Sequence, residues 1–313
     1  MSLLLAALLL SGFMLTGAAA QTATNIAVLY PELDEPYRSL LGKIMQGIEQ
    51  RATGQVIRMA ITTPANPQEV SANLQRQNVH AVIALGRSGL RLAKQLQQIE
   101  PPGVGMLIGA VVTVSEADVR DLTVASLAPD PVELLNHLRT FRPRIKRVFM
   151  VYDPNQNHWM AHLAQAAATA RGIELHAFEA SDLRSAMQRY QNILASMDAH
   201  SDALWLPLDT VTVNDTIVLP FVLQEAWTRN LVVFSSNLEH VRRGALFALY
   251  PNELAVGHHL AELALQQMHS TKPRPGTVLS LRNALLAVNV RTAAHVGIDT
   301  ARLQADAQRV FPE

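Results

Sequence analysis

The stretch VHAVIALGRSG, residues 79–89, decides the fold. Val79 to Leu85 is a continuous apolar run, as expected for a strand covered on both faces in a parallel sheet. Gly86-Arg87-Ser88-Gly89 follows at once and opens a helix over Arg87 to Gln98, stopped by Pro101-Pro102. A buried strand that turns straight into a helix is one unit of a doubly wound α/β sheet.

The same unit repeats on both sides. Upstream, strands are expected over residues 25–30 and 55–61, and helices over 35–51 and 67–77. Downstream, an apolar run over 104–112 closes a first series. A second series has helices over 131–141, 158–171, 183–197, 218–229, 252–269 and 300–310. Its strands fall at 147–152, 173–178, 203–206, 231–234, 244–250 and 285–290. Asp130 is a plausible N-cap for the first of these helices. So many alternating units exceed one ordinary domain and suit two similar α/β lobes with parallel sheets flanked by helices.

No low-complexity linker separates the lobes. Asp118 to Pro131, Tyr250-Pro251 and Lys272 to Gly276 are the expected crossings, which implies a multi-crossing hinge. The N-terminal lobe is then 21–128 plus 251–276, and the C-terminal lobe 129–250 plus 277–313.

Composition narrows the function. Of 313 residues 49% are hydrophobic and 17% charged, too apolar for a disordered chain. Lys plus Arg equals Asp plus Glu at 26 each, so there is no basic excess of the kind nucleic-acid binders carry. The absence of Cys rules out disulfides, thiol catalysis and Cys-ligated zinc. Residues 1–20 run apolar into Ala18-Ala19-Ala20 before polar Gln21, which reads as a cleaved signal peptide without a lipid anchor.

In open parallel sheets, ligands bind beyond the carboxyl ends of the strands. That rule nominates Tyr30 and Glu32 after the first strand, Arg87 and Ser88 after the third, and Ala110 at the end of the 104–112 run. In the second lobe it nominates Asp153, Asn157 and Trp159, then Asp209 and Thr210, then Ser235 and Ser236. The set is polar and partly aromatic, suited to an organic ligand with polar and flat surface. Helical N–H groups at Gly86 to Gly89, with Arg87, suit a carboxylate or phosphate; Asp209 suits an ammonium or hydroxyl group. Tyr30 and Trp159 suit ring stacking.

Other chemistry is not supported. His158 and His162 share a helix face, but no adjacent Glu completes a zincin pattern, and surface or capping histidines are the better reading. No Gly-x-Ser-x-Gly elbow or Gly-rich phosphate loop appears. No catalytic residue, metal or cofactor is expected.

ALWLPLDT (203–210), NLVVFSSNLEHVRRGALFALYPNELAVGHHLAELALQQM (230–268) and VNVRTAAHVGID (288–299) resemble the ABC-transporter substrate-binding protein family that includes tryptophan- and other aromatic-amino-acid-binding members. The resemblance covers most of the mature chain, is strong from about Ala203 onward, and implies a type I periplasmic binding protein: two Rossmann-like lobes and three crossings. It puts ligand groups at Asp209, Ser235 and Ser236. The first lobe departs from the family, with Gly86-Arg87-Ser88 in place of a Thr-bearing turn and no Asp-Pro-Val segment near Thr113. The resulting expectation is a monomeric periplasmic receptor for a small amino-acid-like or aromatic molecule, serving an ABC permease. The alternatives are a sensor partnering a histidine kinase or chemoreceptor, and an enzyme on the same scaffold.

Overall fold

Continuous apolar runs become central strands because both faces of a parallel sheet are roofed by helices. The computed structural model describes residues 25–62, 64–99, 104–115, 118–268 and 276–312. The expected signal peptide lies outside them.

The first series runs β1 (Asn25–Pro31), α1 (Tyr37–Arg51), β2 (Val56–Ile61), α2 (Pro67–Arg76), β3 (Val79–Leu85), α3 (Gly86–Leu96), β4 (Gly105–Val111) and β5 (Thr123–Pro129). The second runs α4 (Pro131–Phe141), β6 (Arg147–Tyr152), α5 (Pro154–Thr169), β7 (Glu174–Glu179), α6 (Leu183–Ser196), β8 (Asp202–Leu206), α7 (Val218–Thr228), β9 (Val232–Ser235), α8 (Leu238–Arg243) and β10 (Phe247–Tyr250). The chain then returns through α9 (Glu253–Met268) and β11 (Thr277–Leu281), and ends with β12 (Leu285–Asn289), α10 (Val290–His295), α11 (Thr300–Asp306) and β13 (Arg309–Phe311).

Among the described residues the strands form two sheets, ordered β11-β5-β4-β3-β1-β2 and β13-β12-β10-β9-β8-β6-β7. The first is parallel throughout. The second is mixed, because β12 runs antiparallel to β10; a fully parallel sheet had been expected. Ile26, Val28, Ile83 and Leu85 face α1 and α9 in one core cluster. Phe149, Val151, Leu204 and Leu206 face α6 and α7 in another. The largest cluster joins residues of both sheets, so the lobes share apolar packing at the hinge.

Several differences from the sequence reading have plain causes. Residues 122–127, expected within a crossing, lie largely in β5, a wholly buried strand. Thr277–Leu281, expected in the second lobe, pairs with β5 in the first sheet, so the third crossing falls at 282–284 rather than 272–276. The closing helix stops at Asp306, because Gln308 donates its N–H to the Leu286 carbonyl and begins the edge strand β13. The strand expected over 244–250 begins only at Phe247, and the short helices α8 and α10 start at the caps Asn237 and Asn289.

Asp130 ties two crossings together. Its carboxylate caps α4 at the Val132 N–H and accepts from the Ser280 hydroxyl. Its own N–H donates to the Leu281 carbonyl at 2.9 Å. The N-cap expected from sequence is therefore also a hinge fastener.

Candidate functional site

Strand order locates the site. In the first sheet the chain departs from β1 toward β2 and returns past it to β3; in the second it departs from β6 toward β7 and returns to β8. Connections leave in opposite directions at these points, which opens a crevice beyond the carboxyl ends of the strands. Beyond β3 stands Arg87, and beyond β6 stands the start of α5.

The two crevices meet. The Arg87 guanidinium donates to the Thr113 hydroxyl at 3.1 Å. That hydroxyl donates to Gln156 Oε1 at 2.9 Å, crossing from one lobe to the other. Gln156 Nε2 donates to Asp153 Oδ2 at 3.1 Å. Gln156 is the third residue after the N-cap Asp153, the position of the partner in a capping box. Here the Asp153 N–H is taken by Asp209 Oδ2 at 2.7 Å, so Gln156 bonds the Asp153 carboxylate instead and turns its oxygen toward Thr113.

The helix starts differ on the two sides. α5 is capped by Asp153, whose carboxylate accepts from the Asn155 N–H. α3 begins at Gly86, in the left-handed region at φ +71°, and its preceding residue Leu85 offers no side-chain cap. Its first N–H groups thus lack a side-chain acceptor beside a guanidinium.

The residues expected at the site divide into two groups. Arg87 and Glu32 are exposed, Ser88 is half-buried with its hydroxyl 3.5 Å from Arg91, and Thr210 is exposed. Ala110 adopts φ +56° where the pairing of β4 with β5 shifts register, so its backbone turns at the rim. The others are held inside their own lobe. Tyr30 is half-buried and packs against the cluster beneath α1 and α9. Trp159 is 7% exposed and packs in the shared core, with Nε1 lacking a hydrogen-bond partner. The Trp159 ring does not stand free for stacking in this arrangement.

Asp209 is occupied on all sides. Oδ2 accepts from the Asp153 N–H and from Asn157 Nδ2; Oδ1 accepts from the Val211 and Thr212 N–H groups. These four bonds use the acceptor directions of both oxygens. The carboxylate therefore organises the loop after β8 and the start of α5, where the sequence had offered it to an ammonium. Asn157, itself buried, interrupts α5 with φ −124° and also donates to the Leu208 carbonyl.

The serine pair is likewise internal. The Ser235 hydroxyl donates to the Leu206 carbonyl, and the Ser236 hydroxyl accepts from Trp205 Nε1 at 2.9 Å. Ser235 Oγ also lies 2.8 Å from His240 Nδ1, and Asp215 lies 3.3 Å from His240 Nε2. A serine, a histidine and a carboxylate thus stand in line. Ser235 is fully buried between the Leu206 carbonyl and His240 Nδ1, an arrangement that anchors α8 rather than exposing a nucleophile.

His240 carries a pH consequence. Burial holds its imidazole below the ordinary value, and Asp215 opposes the shift only in part. Burial likewise lowers His137. Below about pH 6.5 the unfolded chain binds protons at both sites while the folded chain does not, so stability falls as pH falls through that window. Thermal midpoints measured from about pH 7 to 5 should decline. The decline should flatten in His240→Gln and His137→Gln; an unaltered slope in both variants overturns the assignment.

Sequence reasoning passed over Gln156, although it nominated the loop after the 104–112 run that carries Thr113. The signal for Gln156 was present in Asp153-Pro154-Asn155-Gln156, a cap followed three residues later by Gln.

The chain can now be set beside known proteins. Its fold is similar to the ligand-free, open structure of CD0873, a substrate binding protein with adhesive properties from Clostridium difficile: TM-score 0.64, 13% identity, covering 92% of this chain and 99% of that one. It is similar to an ABC domain in complex with L-Trp from Streptococcus pneumonia, at TM-score 0.54, 15% identity, and 93% and 100% coverage. It is also similar to a conserved domain protein from Vibrio cholerae, at TM-score 0.54, 16% identity, and 92% and 99% coverage. These likenesses show the fold, that of the type I periplasmic binding proteins. No curated protein matches the chain significantly. Residues 113–310 match the family model of ABC transporter substrate binding proteins, and the chain belongs to that family.

Proposed function

We propose that the protein is a periplasmic receptor that takes a small amino-acid-like or aromatic solute between its lobes and presents it to an ABC permease. The observation that carries the reading is the meeting of unlike helix starts across the cleft. The uncapped start of α3 with Arg87 faces the capped start of α5, joined through Thr113 and Gln156. An uncapped helix start beside a guanidinium favours an anionic group, so a ligand carboxylate belongs at Arg87 and Ser88. Thr113 and Gln156 supply neutral donors and acceptors for its remaining polar atoms. Glu32 and Thr210 lie on the surrounding loops, and the Ala110 turn shapes the rim. Asp153, Asn157, Asp209, Ser235 and Ser236 hold the second wall in place.

Ligand bonded to both walls favours the closed arrangement by whatever affinity it gains there, which is a population shift. The closed form is what a permease reads. The receptor works as a monomer, exported by its leading apolar segment.

Solute released by denaturing the purified protein, identified by mass spectrometry, should carry a carboxylate. Arg87→Ala should weaken its binding by about 1.5–3 kcal/mol, roughly ten- to 150-fold, because a charged hydrogen bond is lost. Unchanged affinity, or a ligand without an anionic group, overturns the placement.

A further inference from the structure

We propose that His158 and His162 form a two-point site for a divalent transition-metal ion, preferring Cu(II) to Zn(II). Both residues lie on α5, and their Nε2 atoms stand 2.9 Å apart. The rings meet edge to face at 83°, with centroids 4.5 Å apart. Imidazole-to-metal bonds are about 2.05 Å long, so a separation of 2.9 Å subtends about 90° at a bound ion. A tetrahedral ion would need the nitrogens about 3.3 Å apart. A right angle suits the tetragonal geometry of Cu(II), which also heads the affinity order for nitrogen ligands.

Among the described residues no cluster of three or more His, Cys, Asp or Glu side chains could hold a metal. The ion would keep water in its other positions, unlike a closed structural zinc site. Without metal, one imidazole donates to the other at an exposed surface, a bond of small net value that a cation displaces at little cost. Moving the donated proton to Nδ1 frees both Nε2 lone pairs. The backbone beneath is fixed, since Asp153 caps the helix and Asn157, immediately before His158, is bonded to Asp209. An ion bridging His158 and His162 would clamp the turn that follows the Asn157 irregularity, in the helix whose start forms the second wall of the cleft.

The test is titration of the purified full chain with CuCl₂, NiCl₂ and ZnCl₂. Cu(II) is followed by electron paramagnetic resonance and by quenching of tryptophan fluorescence. The same titrations are run on His158→Ala, His162→Ala and the surface control His200→Ala. All three positions are solvent-accessible, and circular dichroism checks that each variant is folded. The expected result is a Cu(II) site with two nitrogen ligands that weakens by at least about tenfold in His158→Ala and His162→Ala but not in His200→Ala. Zn(II) should bind the wild type at least about tenfold more weakly than Cu(II). Cu(II) affinity unchanged in either His158→Ala or His162→Ala, or Zn(II) binding as tightly as Cu(II), overturns the proposal.

Discussion

Gly257→Val is expected to unfold the first lobe, and Gly47→Ala to destabilise it, although both glycines sit inside helices. A helical glycine replaced by alanine ordinarily gains up to about 1 kcal/mol. Packing reverses that sign here. A Cβ on Gly257 would stand 2.1 Å from the Ile44 carbonyl oxygen and 2.8 Å from Gly47 Cα. One on Gly47 would stand 2.2 Å from the Leu254 carbonyl oxygen. The obstacles are backbone atoms, so no rotamer change relieves them, and α1 and α9 must separate. Separation uncovers Ile26, Val28, Ile83 and Leu85, which these helices roof. Overpacking a core costs about 1–3 kcal/mol, and more where nothing can yield. Gly47→Ala should fall within that range, and Gly257→Val beyond it. Gly42 supplies the internal control: it lies in α1 with nothing within 4 Å of its Cβ position, so Gly42→Ala should stabilise slightly. Urea unfolding of the three variants checks the order; a stabilised Gly47→Ala shows that the helices are not in contact there.

That contact was illegible in the sequence, and the reason is general. Val79 to Leu85 declared a buried strand because the property is local to the run. The closeness of Gly47 to Gly257 depends on two helices 210 positions apart in the chain, and glycine in a helix offers no pattern pointing to a partner. Strand pairing has the same limit. Residues 122–127 and 277–281 carried enough apolar character to be strands, but their pairing brings together segments more than 150 positions apart. The carboxyl-end rule named the loops that carry Arg87, Asp153 and Asp209 because it follows from strand placement alone, and these loops do follow β3, β6 and β8. It did not separate side chains that face the cleft from side chains that build it. Asp209 and Ser235 sit on loops at the strand ends and spend their hydrogen bonds inward. Gln156 reaches across because Asp209 has already taken the backbone donor that a capping box would give it. Such displacements within a network are decided by which acceptors the tertiary structure brings together, which composition and spacing do not encode.

Asp209→Ala is therefore expected to lower stability as well as affinity. Four donors lose their acceptor at once: the Asp153, Val211 and Thr212 N–H groups and Asn157 Nδ2. Asp153, Asn157 and Thr212 are buried, and each donor left unpaired costs about 1–3 kcal/mol before water or relaxation offsets part of it. A net loss of about 3 kcal/mol or more is expected, near the upper end for a single substitution. Asp209→Asn should not rescue it fully. Its carbonyl oxygen can serve Val211 and Thr212, but its NH₂ then faces the Asp153 N–H, a donor that cannot be turned round. Once the start of α5 shifts, Gln156 leaves Thr113 and the cleft loses this neutral bridge to Arg87. A purely ligand-contacting Asp209 would behave otherwise: affinity would fall while the urea midpoint of the ligand-free protein stayed put. Measuring that midpoint without ligand separates the two roles, and an unchanged value in Asp209→Ala would return the carboxylate to the ligand.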